Sequence, residues 1–158
     1  MLHIVFIIVV STSASISADH VQAKPATGGA SEACTFLTKE DAAAALGETA
    51  NGPKSAAGPS AGGMTASSCE YSGSGIHTVT LNVMRLSADN ASMYRALCAQ
   101  KGKEGLSGLG DTACWYNDKH EELQVLKGTT FFSIELRRNG NPTEPIKEVA
   151  KRVFDRVK

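Results

Sequence analysis

Few residues in this chain have the types and spacing to do chemistry, and the cysteines lead them. Cys34, Cys69, Cys98 and Cys114 are separated by 34, 28 and 15 intervening residues. Paired thiolates bind metal or exchange disulfides most readily when they stand two residues apart, and this chain has no Cys-x-x-Cys pair. His77 and His120 lie at no ligand-like spacing to any of the four. A hydrolase would need a nucleophile, a base and an orienting acid. Ser107 sits in Gly-Leu-Ser-Gly, which lacks the nucleophile-elbow pattern. His120 adjoins Glu121 and Glu122 in an expected turn, where charged residues are solvated. Gly105, Gly108 and Gly110 suggest a phosphate loop, but such a loop follows a strand and opens a helix. Here the glycines follow a helical pattern and lead into a strand, so their expected role is positive φ in a tight connection. The reading is of a non-enzyme with no catalytic residue, metal site or cofactor.

The start of the chain gives the cysteines another use. MLHIVFIIVV is an apolar run too short to span a bilayer comfortably. A stretch rich in small residues follows, as in a cleavable signal peptide over residues 1–18. Residues 19–33 have no hydrophobic period and read as a flexible tether. An exported chain meets an oxidising compartment, where an even cysteine count implies disulfides. Four cysteines allow three connectivities. The expected location is secreted or periplasmic, with no membrane span once the signal is removed. Sixteen basic residues balance 16 acidic ones, which argues against a nucleic-acid partner.

The elements that would carry these residues form one α+β domain over 34–158. Thr38 caps a short alanine-rich helix, Asp41 completes a capping box and Gly47 stops it. Residues 49–67 are mostly Gly, Ala, Ser and Pro and read as a long flexible insert without structure of its own. Cys69 and Tyr71 share a face of the next strand. Val79, Leu81 and Val83 then alternate with Thr78, Thr80 and Asn82, giving one buried and one partly wet sheet face. A second helix, capped by Ser87 or Asp89 and ended by Gly102, places Met93 and Leu97, and Tyr94 and Cys98, along a stripe expected to face the core. A strand carries Cys114, Trp115 and Tyr116. A hairpin turning at Lys127–Thr129 buries Leu123, Val125, Phe132, Ile134 and Leu136. The last helix, capped by Thr143, buries Ile146, Val149, Ala150, Val153, Phe154 and Val157, and its charged side reads as solvated. About five antiparallel strands, with two to three helices on one face and disulfide staples, is the expected fold.

Cys-x-Tyr occurs twice, at Cys69–Tyr71 and Cys114–Tyr116, at similar places in each half of the domain. With CTFLTKEDAAAALG, GLGDTACW and LQVLKGTTFFSIEL, these residues resemble a family of small exported bacterial envelope proteins and lipoproteins, actinobacterial in type and of unknown function. The resemblance covers most of Cys34 to Leu136. It implies bridges Cys34–Cys69 and Cys98–Cys114 and supplies no catalytic residue. Unlike the lipoprotein members, this chain has no cysteine close behind its apolar run.

The functional expectation is a non-catalytic envelope or secreted binding module for a protein, a lipid or a small apolar ligand. Tyr71, Trp115 and Tyr116 are candidates to line a cleft, although aromatic residues so placed more often fill a core. The alternative is a secreted interaction or inhibitor-type factor acting through the Gly/Ser/Pro-rich insert.

Overall fold

The computed structural model describes residues 31–58, 64–100 and 104–158. The expected signal peptide, most of the expected tether and Gly102, the expected end of the second helix, lie outside the described residues. Chain order gives helix α1 (Glu32–Phe36), helix α2 (Lys39–Leu46), strands β1 (Asn51–Ala57), β2 (Thr65–Ser72) and β3 (Thr78–Arg85), and helix α3 (Ala88–Cys98). Strands β4 (Thr112–Trp115), β5 (Glu122–Lys127) and β6 (Thr130–Arg137) and helix α4 (Thr143–Arg156) complete it. The six strands form one sheet in the order β1-β2-β3-β6-β5-β4, every pair antiparallel.

The sixth strand is β1, which replaces the first half of the expected insert. Its Ala, Ser and Gly side chains carry no hydrophobic alternation, and all seven residues are exposed. Pairing with β2, from Asn51↔Ser72 to Ala57↔Ser67, makes the strand. A small-residue edge strand has its backbone hydrogen bonds as its main anchor, and pattern reading does not detect those. The domain also starts a little earlier than Cys34: α1 begins at Glu32 and buries Ala33.

Side chains alternate across a sheet, and the alternation here separates two cores. One face carries Tyr71, Leu81, Phe132, Ile134, Leu123 and Trp115 and is covered by α1, α2 and α4. The capping box of α2 forms as expected, with Thr38 Oγ1 accepting from the Asp41 amide at 3.2 Å and the Thr38 amide donating to Asp41 Oδ2 at 3.3 Å. Gly47 closes the helix at φ 72°. Helix α4 buries Ile146, Val149, Ala150 and Val153, while Phe154 is half-buried beneath the Lys127 ammonium, 4.3 Å from its ring centroid. Thr143 is the first residue of α4 rather than its cap; its amide donates to Asn141 Oδ1 at 2.9 Å, so Asn141 satisfies that end.

The charged side of α4 is not wholly solvated. Arg152 and Arg156 both reach Asp41, which is buried at the start of α2. Arg156 also donates to the Phe36 carbonyl at 2.7 Å. Burial pushes the Asp41 carboxyl up, but the hydrogen bonds from Arg156, Thr38 and Arg152 outweigh it and hold the group below its usual range.

Helix α3 lies on the opposite face. Ala91 is buried there and Tyr94 half-buried, against Leu126, Phe131 and Met84. Met93 and Leu97, expected to face the core, are 53% and 38% exposed. The stripe is therefore narrower than the sequence suggests: α3 meets the sheet at its margin, over β4 and β5, and one line of side chains suffices for that contact.

Candidate ligand groove

Each disulfide holds one face. Cys34–Cys69 joins α1 to β2 on the α1/α2/α4 side, with Cα atoms 5.0 Å apart. Cys98–Cys114 joins the end of α3 to β4 on the other side, with Cα atoms 5.5 Å apart. This is the pairing that the family resemblance implies, and no cysteine is left free. The two Cys-x-Tyr strands are consequently not equivalent. Cys69 and Tyr71 point into the larger core. In β4 it is Ala113 and Trp115 that do so, and Cys114 points the other way, towards α3.

This parity places the three aromatic candidates. Tyr71 is buried in the larger core, where burial first and the carboxylates of Glu40 and Asp41 next raise its hydroxyl pKa. Trp115 is buried as well and stacks on His120 at 4.5 Å; its Nε1 has no hydrogen-bond partner among the described residues. Both belong to the core and not to a cleft. Tyr116 is 54% exposed and borders a shallow depression with Tyr94, Leu97, Cys114 and Gln124.

A concavity of about 450 Å³ lies elsewhere among the described residues, on the open face of the sheet between α3 and strands β1 and β2. Its floor is built from cross-strand rows. Register places Ser68 opposite Asn82, Asn82 opposite Ser133, and Ser133 opposite Gln124, in one row of neutral hydrogen-bonding side chains. Two residues along each strand, Ala66, Met84, Phe131 and Leu126 form an apolar row. Two residues the other way come Glu70, Thr80, Glu135 and Glu122. Rows so related are about 7 Å apart.

Helix α3 forms one wall. Tyr94 stacks obliquely on Phe131 with ring centroids 4.3 Å apart. The opposite wall is Ala56, Ala57 and Gly58 of the expected insert. Gly58 donates its amide to the Ala66 carbonyl at 2.8 Å, and a Cβ on it would meet Ala66 Cβ at 2.8 Å, so a larger residue there would have to push the two strands apart. The insert is thus part of the groove, and deleting it would not distinguish a groove binder from a loop binder.

The carboxylates of the third row differ in their company. Glu70 faces Lys54 at 3.6 Å and Glu135 faces Arg137 at 2.7 Å. Glu122, which lines the groove, has the neutral Gln124 Nε2 beside it at 3.4 Å and joins no ion pair among the described residues.

Neither His77 nor His120 lines the groove. His77 Nδ1 lies 2.7 Å from Glu48 in a latch between the β2–β3 turn and the end of α2. Hydrogen bonds from Ser74 first and His77 next hold the Glu48 carboxyl down at about 2. His120, at φ 56°, sits between Glu104 (2.9 Å) and Thr143 (3.3 Å) and over Trp115, tying the β4–β5 turn to α4. Ser107 is exposed in the glycine loop, where Gly108 and Gly110 take the expected positive φ, 79° and 71°, while Gly105 does not and instead bridges to Cys114 in extended backbone. Among the described residues no group of His, Cys, Asp and Glu is arranged to hold a metal ion, and no helix is long and apolar enough to cross a membrane.

Sequence reasoning missed the residues of the groove floor. Their signal was present in the wet side of the β3 alternation, where Asn82 and Met84 lie, but the other strands of the row could be assigned only with the sheet order in hand. Comparison of the chain with family models, curated proteins and solved structures finds no match.

Proposed function

We propose that this protein is an exported, non-catalytic binding module that carries a small apolar ligand on the open face of its sheet. The observation that carries the reading is the groove itself. At about 450 Å³ it falls within the range of small-molecule sites, and its lining is apolar with a few convergent polar groups. Export is supported by the apolar run at the start of the chain and by the pairing of all four cysteines. The envelope family resembled in sequence is consistent with that location.

The test is a solvatochromic apolar dye titrated into folded protein, beside native mass measurement of protein recovered by its own export. Wild type is expected to enhance the dye and to carry extra mass. Ser68→Trp, which fills the centre of the floor, is expected to abolish the enhancement with the circular dichroism unchanged. A clean apo mass together with equal dye binding by wild type and Ser68→Trp would refute the groove as the site.

A further inference from the structure

The rows of the groove floor are graded, and the gradient specifies what sort of ligand fits. From the end of the strands where Tyr94 packs on Phe131, a molecule lying along them meets first Ala66, Met84 and Phe131, then Ser68, Asn82, Ser133 and Gln124, then Glu122. The first and third rows are about 14 Å apart. One end of the ligand is therefore solvated by thioether, methyl and aromatic surface, the middle by hydroxyls and carboxamides, and the far end borders a carboxylate.

The middle row has hydrogen-bonding capacity to spare. Asn82 Nδ2 makes one long bond to Ser133 Oγ at 3.4 Å, and Gln124 Nε2 one to Glu122 at 3.4 Å. A carboxamide offers two donor hydrogens and an acceptor oxygen, so both residues can give to and accept from an incoming group. The row carries no charge, which suits an alcohol, ester or amide better than an ion. Glu122 supplies the discrimination. It lines the groove without a cationic partner among the described residues, and an anionic head group at the middle row would face it across about one row spacing. Rejection by a like charge is a common route to specificity.

Resting on the groove reading above, we infer that the ligand is a single-chain amphiphile with an uncharged, hydrogen-bonding head group. Its chain lies beside α3 against Ala66, Met84 and the Tyr94–Phe131 pair, its head sits on Asn82 and Gln124, and Glu122 excludes fatty-acid anions of the same chain length.

Three probes of equal chain length test this by calorimetric titration at neutral pH, below their micellar concentrations: monodecanoylglycerol, decanoate and decylamine. Monodecanoylglycerol is expected to bind wild type at least tenfold more tightly than decanoate does. Glu122→Gln, a near-isosteric change, is expected to narrow that gap by strengthening decanoate. Gln124→Leu is expected to weaken monodecanoylglycerol while leaving an apolar dye bound, which shows that the variant is folded and its groove intact. Decanoate binding as tightly as monodecanoylglycerol would overturn the inference and leave the groove reading standing. So would decylamine binding tenfold more tightly than monodecanoylglycerol, because Glu122 would then be an ionic anchor. Failure of all three probes and of the dye would remove the groove reading itself.

Discussion

Asp41 is the residue through which two helices distant in sequence hold one another, and its replacement tests that contact. Its side chain is 3% exposed, whereas those of Arg152 and Arg156 are 46% and 36% exposed. Asp41→Ala removes the returning half of the α2 capping box and both guanidinium contacts. A lost cap costs about 1 kcal/mol. A hydrogen bond to a charged group contributes about 1.5–3 kcal/mol, and the partial exposure of the arginines, which can rehydrate, reduces that. The sum is a loss of about 3 kcal/mol for Asp41→Ala, and of about 2 kcal/mol for Asp41→Asn, which keeps most of the volume. Urea unfolding followed through Trp115, the single tryptophan and a buried one, measures both. A double-mutant cycle with Arg156→Met isolates the pair. The pH dependence gives a second check. The folded carboxyl is held below its ordinary value of 3.8, so its contribution is complete above that value and is lost as pH falls through the lowered one. The difference between wild type and Asp41→Asn should therefore be constant at neutral pH and shrink in acid. A loss under about 0.5 kcal/mol for Asp41→Asn at neutral pH, or a difference that persists in strong acid, would refute the reasoning.

Two further outcomes follow from the same structure. Gly110 combines φ 71° with a Cβ position that would collide with the Leu126 carbonyl, so Gly110→Ala is expected to lower stability by about 2 kcal/mol; a cost under about 0.5 kcal/mol would show that the glycine loop can shift freely. Replacing Cys34 and Cys69 by serine releases a 35-residue separation, and replacing Cys98 and Cys114 a 16-residue one, for expected losses of about 4 and about 3 kcal/mol. Hydrogen exchange should separate the pairs: only the second should deprotect α3 while β3 and β6 stay protected, and equal deprotection of both regions would contradict it.

The parts of the fold that the sequence made legible are those where side chains decide the structure. The α2 caps, the β5–β6 turn at Gly128 and the buried stripe of α4 each rest on a local chemical rule, and each lies where that rule puts it. Strand β1 was illegible because its side chains do almost nothing and its partner strand does the rest. The face occupied by α3 was illegible for a different reason. Helical period reports which residues point together, and it carries no information about which side of a sheet they approach. The groove shares that second limit. Ser68, Asn82, Ser133 and Gln124 stand as far as 65 residues apart in the chain, and strand order alone brings them into a row. Tyr71 and Trp115 show the converse: a one-residue parity decides between cleft and core, and it sends both to the core.

The sulfurs bear on the groove through that parity. On the α1/α2/α4 face, many buried aliphatic side chains and the Asp41–Arg152–Arg156 contacts already hold the layers, so Cys34–Cys69 adds to a core that has other supports. Helix α3 has no comparable core. Ala91 is its one buried residue, Tyr94 is half-buried, and Arg95 reaches Asp111 only at 3.4 Å. Eleven residues of helix are marginal without tertiary packing. Cys98–Cys114 therefore sets where α3 sits, and α3 is a wall of the groove that runs from Phe131 in the apolar row to Cys114 beside Gln124 in the polar one. A larger apolar stripe on the same length of helix would bury more of the half-buried Met84 and narrow the groove beside it. A narrow stripe with a covalent tether at one end keeps the wall in place and the floor open. That arrangement suits the ligand-carrying role proposed above, in which the sheet stays folded with one face open.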